Sequence, residues 1–341
     1  MRLRNMMRAL LFVALVSGAA AQAPPHVGDI NFYGLHKVSA ERILDTVKLK
    51  SGGALPPSKG DLEDRIARIP GVLLAHVEAV CCEGADAVLF IGVEERGAPH
   101  AAFRTESTGD AALPEGLIDS YREFLAAVGR AAREGRAAED LTAGHSLMAD
   151  PAARAFQEQF VSFAADNRER LREVLRNAAD DGQRAVAAAV IGYAPKTQEL
   201  VDALQDAMQD RDESVRANAM RSLSAIAVLS AKQPELGLRI SPTWFVEMLN
   251  SIVLSDRVES ARALLILTDG GKRGALDLIR ERGLASLVEM ARWKTLRYAL
   301  PPFLLLGRLA GMQDGAIHRF WEAGQREPVI QKALGTSRKR G

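Results

Sequence analysis

The sequence predicts a chain of two parts, a small α+β unit followed by an all-α array. β-prone runs are confined to the stretch before residue 96, amphipathic helical periodicity follows, and an alanine frame recurs in the second half. The 341 residues are enough for about two domains, and 48% hydrophobic with 26% charged residues is typical of a folded chain. Aromatic residues make up only 5%, which favours closely packed helices over an all-β structure.

The charge balance argues against a nucleic-acid-binding protein. Lysine and arginine total 44 and aspartate and glutamate total 43, so the chain carries no bulk basic field. We therefore expect no nucleic acid among its partners.

The chain begins with the pattern of a secretory signal peptide over residues 1–21. Three arginines precede an apolar run over 9–16, and small residues follow up to Ala21. Because the apolar run is shorter than the roughly 20 residues that span a bilayer, a cleaved signal is favoured over a membrane anchor. We predict cleavage after Ala21, export to the periplasm, and no integral membrane segment in the mature chain.

The only cysteines are the neighbours Cys81 and Cys82. A pair this close cannot connect distant parts of the fold. The two thiols could be unpaired, joined in a strained vicinal ring, or linked to another chain, and these alternatives stay open.

Residues 26–96 begin with a predicted strand and two predicted helices. The β-prone residues from Val27 end at Gly34, where glycine permits a turn. Ser39 and Ser58 stand at N-cap positions, and apolar residues at helical spacing follow each of them.

Two further strands are predicted to complete this unit. The runs 72–80 and 87–93 are apolar and β-branched, so they indicate a hairpin. The resulting β-α-α-β-β order resembles the POTRA domain of outer-membrane assembly and secretion proteins and of the bacterial division machinery. The residues that carry the resemblance are Ile30-Asn31-Phe32-Tyr33-Gly34, Val38-Ser39, Ile43, Ile69-Pro70-Gly71-Val72 and Val88-Leu89-Phe90-Ile91-Gly92-Val93-Glu94-Glu95.

The POTRA resemblance implies a binding module that adds a client strand to an exposed sheet edge. An unpaired edge offers backbone donors and acceptors that an extended peptide can complete. It also implies partners among outer-membrane assembly or secretion components, and a location peripheral to the outer membrane. Val88 and Phe90 are the candidate protein-binding residues here. The alternative is a packed domain whose edge is covered by the segment that follows.

A linker and a helical connector are predicted next. Residues 97–113 mix Gly, Pro, Ser and Thr without periodicity, as is typical of a linker between two modules. Over 114–165, Pro114 opens one predicted helix, and Asp150 with Pro151 supplies the N-cap and first position of another.

A repeated helix pair is predicted over 166–335. The segment from Arg184 aligns with the segment from Arg216, and the alanine at 187 recurs at 219, 261 and 299. Such periods indicate stacked units that bury their apolar faces against one another.

The segment Asp212–Ala219 resembles the HEAT repeat. Its Asp212 to Arg216 spacing predicts an ion pair on the helix surface, and Asp180 with Arg184 repeats that spacing. The resemblance implies an extended α-helical solenoid that binds protein partners, usually without catalysis.

The later units depart from this pattern. They lack the arginine of the frame, and Pro301-Pro302 is expected to interrupt a helix, so these units are expected to be irregular repeats or a cap. The three tryptophans of the array, if exposed, would be natural anchors for a partner. We therefore take Trp244, Trp293 and Trp321 as candidate protein-binding residues.

One short motif is suggestive of hydrolase chemistry. Residues 144–148 resemble a nucleophile elbow with His145 and Ser146, but Met148 replaces the final glycine and no parallel strand precedes them. The six histidines are scattered and no metal-ligand spacing occurs, so no cofactor and no metal site are expected.

The sequence thus favours an exported, non-catalytic adaptor or scaffold of the bacterial cell envelope. In this interpretation the POTRA-like unit grips an extended segment and the HEAT-like array holds a second protein. One alternative is a rigid structural envelope protein in which the sheet unit packs on the array. The other is a hydrolase that uses His145 and Ser146.

Overall fold

The structure is a computed structural model that describes residues 26–83, 86–98, 100–271 and 273–338. The predicted signal peptide lies outside these residues. The backbone of Cys81 and Cys82 belongs to a strand, whereas their side chains are not among the parts described.

The first unit is a three-stranded sheet with two helices on one face. Both predicted N-caps are confirmed, because Ser39 Oγ accepts from the Arg42 amide and Ser58 Oγ accepts from the Asp61 amide. The chain order β-α-α-β-β is also confirmed. The elements are β1 (Val27–Tyr33), α1 (Ala40–Val47), α2 (Lys59–Ala67), β2 (Val72–Glu83) and β3 (Asp86–Glu95).

The last strand in the chain, β3, lies in the middle of the sheet. It pairs with β1 in parallel and with β2 in antiparallel orientation. Leu89 and Ile91 pack into the core with α1 and α2, whereas Val88 and Phe90 point into the core of the helical array. The strand is therefore covered on both faces, which explains its nearly continuous apolar sequence.

The remainder of the described chain is mainly helical. Helix α4 begins with Asp150 as N-cap and Pro151 in its first turn, as predicted. Between α3 and α4 lies a short hairpin of β4 (Glu139–Asp140) and β5 (Leu147–Met148). The helices are α3 (Glu115–Arg133), α4 (Pro151–Asp166), α5 (Arg168–Asn177), α6 (Asp181–Ile191), α7 (Gln198–Ala207), α8 (Glu213–Lys232), α9 (Thr243–Met248), α10 (Leu254–Leu267), α11 (Arg273–Arg282), α12 (Leu284–Ala291), α13 (Leu296–Leu309), α14 (Asp314–Glu322) and α15 (Arg326–Arg338).

The helices from α5 onward stack as successive units, which are helix pairs except for the three-helix unit of α11, α12 and α13. The second helices of the pairs, α6, α8, α10, α13 and α15, pack side by side, and α8 also packs on its own first helix α7. The layout of a small α+β unit followed by an all-α array is therefore confirmed. None of the helices in the described part of the chain combines the length and the apolar character that crossing a membrane requires.

Helix α13 continues through Pro301 and Pro302. The expectation that this pair interrupts the helix is wrong. Each proline removes a backbone N–H, yet Phe303 and Leu305 just after them are fully buried. Their packing holds the segment in the helix.

The predicted linker lies along the array as an extended segment, which we call the strap (residues 100–113). The Arg104 amide donates to the Gln209 carbonyl at 2.8 Å, and the Gly109 amide donates to the Asn177 carbonyl at 2.8 Å. The strap crosses the turns that connect consecutive helices. Its backbone is therefore hydrogen-bonded to the array.

Candidate functional site

The second face of the sheet packs on the helical array. The Phe90 ring lies 5.1 Å from the Trp293 ring in an edge-on arrangement and 5.6 Å from the Tyr298 ring. Val88, Phe90 and Trp293 are 2%, 0% and 3% exposed. The interpretation of these three residues as a surface for other proteins is therefore corrected, because the partner that they contact is this chain's own array.

Polar contacts fix the same interface. The Tyr33 hydroxyl donates to the Ile252 carbonyl at 2.8 Å, and the Arg257 guanidinium lies 4.6 Å from the centre of the Tyr33 ring. Burial raises the pKa of Tyr33 far above its ordinary value, so the phenol stays a neutral donor. The Glu289 carboxylate accepts from the Gly34 amide and from Arg257, both at 3.2 Å.

The two other candidate tryptophans are half-buried in the array. Trp321 packs 5.2 Å from the Phe303 ring, with the Arg326 guanidinium 5.7 Å from its centre. Trp244 packs against the same apolar core. A contact of Trp244 or Trp321 with a partner stays a prediction.

The arginines of the repeat frame are buried and connect neighbouring repeats. Arg184 donates to the Asp210 carboxylate at 2.9 and 3.0 Å and to the carbonyls of Ala178 and Ala179. Asp180, the predicted surface partner of Arg184, instead caps α6 by accepting from the Gln183 amide. The aspartate of the motif is therefore an N-cap, and the arginine pairs with the next repeat.

The next repeat uses the same arrangement. Arg216 is 1% exposed and donates to the Asp256 carboxylate at 2.8 and 3.0 Å, while Asp212 caps α8. Arg216 also donates to the Asp210 carbonyl six residues earlier. The predicted surface pair of Asp212 and Arg216 is thus replaced by a buried pair that connects two repeats.

The third repeat also has a buried arginine, Arg257, which is not found when the repeats are aligned on their alanines. When the repeats are aligned on their alanines, Val258 occupies the position that corresponds to Arg184 and Arg216. Arg257 stands one residue before that position. It donates to the Ser251 carbonyl six residues earlier and to Glu289 in the following unit. A one-residue shift hides this arginine from a comparison at fixed spacing.

The two edges of the sheet differ. The β1 edge is covered, because Val27 exchanges hydrogen bonds with Gly52 and Gly53 and the Phe32 carbonyl accepts from the Trp293 indole at 3.4 Å. On the β2 edge, the hydrogen bond found among the described residues is from the Val77 amide to Glu63 at 2.7 Å. The open edge is therefore β2 and not the strand that carries Val88 and Phe90.

The hydrolase candidates line a cavity of about 460 Å³ beside the β4–β5 hairpin. The Ser146 hydroxyl donates to Glu139 at 3.0 Å and accepts from the Gln157 amide at 3.3 Å. Burial, together with the charge of Lys196, lowers the pKa of His145 to about 4, so the ring is neutral at pH 7. His145 takes no part in the Ser146 hydrogen bonds, so the described geometry does not assemble a nucleophile with its base.

Comparison with known protein families finds a match to part of this chain. A family model described as HEAT repeats matches residues 168–236, about a fifth of the chain. No curated protein matches. One solved structure, an engineered protein described as target OR329 of the Northeast Structural Genomics Consortium, is similar to 67% of this chain and 98% of its own, at 20% identity and a TM-score of 0.36. The segment from α5 to the end of α8 thus consists of HEAT-like repeats.

Proposed function

We propose that the protein is an exported, non-catalytic scaffold that binds protein partners in the bacterial cell envelope. The observation that carries the proposal is the HEAT-repeat match at 168–236, together with the side-by-side stacking of second helices that extends beyond it to α15. HEAT repeats generally mediate protein–protein interactions. The envelope location rests on the signal-peptide pattern of residues 1–21.

The contacts between sheet and array favour a rigid scaffold over two flexibly linked modules. Phe90, Tyr33 and Glu289 hold the sheet to the array, and the strap is bound along the repeats. The two partner surfaces that we propose, the β2 edge and the face of the second helices, would then be presented in a fixed relation.

The β2 edge fits the strand-addition role that the POTRA resemblance implies. In an antiparallel pair, alternate residues direct both backbone groups away from the neighbouring strand. Because the Val77 amide points outward to Glu63, the outward set includes Ala75 and Ala79. Leu74 is 55% exposed on the same strand and offers an apolar contact beside this edge.

Site-specific photo-crosslinking in the native envelope tests the scaffold. A benzophenone amino acid would replace Leu74 on β2, Arg221 on α8 or, as control, Glu169 on α5, all of which are exposed. We expect the first two positions to capture defined proteins that the control does not. Identical captures at all three positions, or no capture at Leu74 and Arg221, would contradict the proposal.

A matched pair of variants tests strand addition itself. Ala79→Pro removes an outward N–H without touching the ladder to β3, whereas Ala79→Val keeps it. We expect Ala79→Pro to abolish capture at Leu74 and Ala79→Val to preserve it. Equal capture by both variants would mean that the β2 edge does not pair with its partner.

Export is tested by the mass and N-terminal sequence of the protein from its native host. We expect the mature chain to begin at Gln22 and to be recovered from the periplasmic fraction. A cytoplasmic chain that retains residues 1–21 would contradict the proposed location in the cell envelope. The scaffold role would then be tested by the crosslinking experiment alone.

A further inference from the structure

The cavity of about 460 Å³ opens between α3, the β4–β5 hairpin and the second helices α6, α8 and α10. Its volume lies in the range of small-molecule sites, and its walls are mostly apolar, as such sites are. Leu125 lines it while 49% exposed, one of the few large apolar side chains that the fold leaves in solvent. The apolar lining includes Tyr121, Phe124, Leu125, Val128, Met148 and Ile266.

Two guanidinium groups line the cavity on the side of the second helices. Arg221 on α8 and Arg262 on α10 share one carboxylate, that of Glu259, at 3.4 and 3.2 Å. Glu259 is 9% exposed, whereas the two arginine side chains are 61% and 45% exposed. Since each guanidinium carries five N–H donors, most of their donors are left for another acceptor. A carboxylate is the acceptor that matches this planar fork.

The hairpin side supplies His145, Ser146 and the Glu139 carboxylate. His145 Nδ1 is buried and has no hydrogen-bond partner among the described residues. The ring lies 5.3 Å from the Tyr193 ring, whose hydroxyl accepts from Gln157 at 3.0 Å. The acidic group on this side, Glu139, already accepts from Ser146. A buried nitrogen without a partner indicates that an additional polar group or water completes the site.

We propose that this cavity binds a small amphiphilic carboxylate, with its apolar body against α3 and the hairpin and its carboxylate on Arg221 and Arg262. The apolar walls supply the affinity, and the two guanidinium groups set the preference for an anion. The neutral His145 ring adds one donor or acceptor toward the body of the ligand. The volume of about 460 Å³ favours a compact ligand over a long protein segment.

Three probes with the same ring system and different charge test the ligand class. They are 2-naphthoate, 2-naphthylmethanol and 2-naphthylmethylamine, titrated into the full mature chain by calorimetry and by ligand-observed NMR. We expect saturable one-to-one binding of the naphthoate, binding of the alcohol about tenfold weaker, and none of the amine. Equal binding of all three, or no saturable binding of naphthoate at millimolar concentration, would overturn the proposal.

Surface variants assign the binding to this cavity. Arg262→Gln should weaken naphthoate about tenfold and leave the alcohol unchanged, because only the carboxylate uses the guanidinium. Leu125→Trp, at an exposed position that tolerates substitution, should fill the mouth and weaken both probes. The controls are Arg319→Gln and Leu296→Trp, which change exposed residues on α14 and α13 that do not line the cavity.

The ligand site shares Arg221 with the proposed partner surface of the second helices, but the two proposals can fail separately. If a partner segment occupies the cavity instead, Leu125→Trp abolishes photo-crosslinking at Arg221 while naphthoate fails to bind, and the small-ligand proposal is then wrong. If naphthoate binds as expected and crosslinking at Leu74 and Arg221 fails, the proposed scaffold role is wrong and the proposed ligand site is supported.

Discussion

At the scale of single residues, buried arginines hold the array together. Arg184, Arg216 and Arg257 each donate to a carbonyl six residues earlier and to an acidic side chain of the next repeat. Each arginine therefore binds the turn that precedes its own helix and connects that helix to the next repeat. Such a pair adds little net stability compared with apolar packing, but it is costly to break from one side.

Removing one partner of a buried pair should be far more damaging than removing a surface partner. We predict that Arg216→Ala lowers the free energy of unfolding by about 3–5 kcal/mol, because Asp256 at 0% exposure is left without its counter-charge. Arg211→Ala, whose pair with Glu106 is exposed, should change it by less than about 1 kcal/mol. Urea unfolding followed by circular dichroism measures both, and equal losses would show that the Arg216 pair is not buried as described.

The double variant Arg216→Met with Asp256→Leu completes this test. Replacing both charges by apolar side chains removes the unpaired charge, so stability should recover to near that of the unchanged chain. A double variant as unstable as Arg216→Ala would point to the lost carbonyl contacts of Arg216 and away from the ion pair.

A buried glutamate gives the sheet unit a defined pH dependence. Burial raises the pKa of Glu95, but backbone N–H groups of His36, Lys37 and Val38, at 2.7 to 3.0 Å, lower it by more, so its pKa lies below the ordinary value of 4.5. The folded state therefore binds this proton less tightly than the unfolded chain. The contribution to stability is complete above pH 4.5 and is lost as the pH falls from there through the folded pKa.

We predict that Glu95→Gln lowers stability at pH 7 by roughly 2–3 kcal/mol, since charge-assisted hydrogen bonds are lost. The difference between Glu95→Gln and the unchanged chain should shrink as the pH falls below 4.5. Unfolding curves between pH 7 and pH 3 measure this difference. A constant difference across that range would show that the carboxylate charge does not matter.

At the scale of elements, the caps and turns were predictable because their causes are local. Ser39, Ser58 and Asp150 each begin a helix as expected, since an N-cap needs only a side-chain oxygen and the next three amides. The order of the strands in the sheet and the pairing of Arg216 with Asp256 depend on contacts between residues far apart in sequence. A single sequence does not show such contacts, so it predicted neither the central place of β3 in the sheet nor this buried pair.

The strap also shows why composition alone is a weak guide. Its Gly, Ser and Thr residues are as common in a bound extended segment as in a free linker. What distinguishes this segment is its fit to the array: Phe103 lies under Arg216 at 4.2 Å, and Arg104 pairs with Asp206 at 3.0 Å. Those partners lie on the two helices of one repeat, α7 and α8.

We predict that trypsin spares Arg104 in the native protein and cuts first at Arg239, an exposed residue in the loop before α9. Gly109→Val should expose Arg104 to cleavage, because a Cβ at Gly109 would lie 2.5 Å from the Asn177 carbonyl oxygen and push the strap away. Gly116→Ala, where a Cβ meets nothing, is the control. Early cleavage at Arg104 in the unchanged chain would restore the two-module interpretation.

At the scale of the whole molecule, one face of the sheet packs into the apolar core of the array, while its other face packs on α1 and α2. Tyr33, Val88 and Phe90 belong to the same buried cluster as the helices, so neither part can bury its apolar face alone. Because the sheet is held rigidly on the array, the two proposed partner surfaces, the β2 edge and the second helices, keep a constant distance and orientation. One protein could then hold two partners at fixed positions relative to each other. The small amphiphile that we propose would bind between α3 and the array, apart from the sheet interface.

The close approach of sheet and array depends on Gly92. A Cβ there would lie 2.5 Å from Tyr33 Cε2 and 2.6 Å from the Ile252 carbonyl oxygen. Gly92→Val should therefore push the sheet off the array, whereas Gly60→Ala, with no atom within 4 Å, should not.

Differential scanning calorimetry of the mature chain tests the rigid body most directly. One cooperative transition is predicted for the unchanged chain and for Gly60→Ala, because sheet and array unfold together. Two transitions are predicted for Gly92→Val, with the array melting separately from the sheet unit. Two separate transitions in the unchanged chain, unaltered in temperature by Gly92→Val, would contradict a single rigid scaffold.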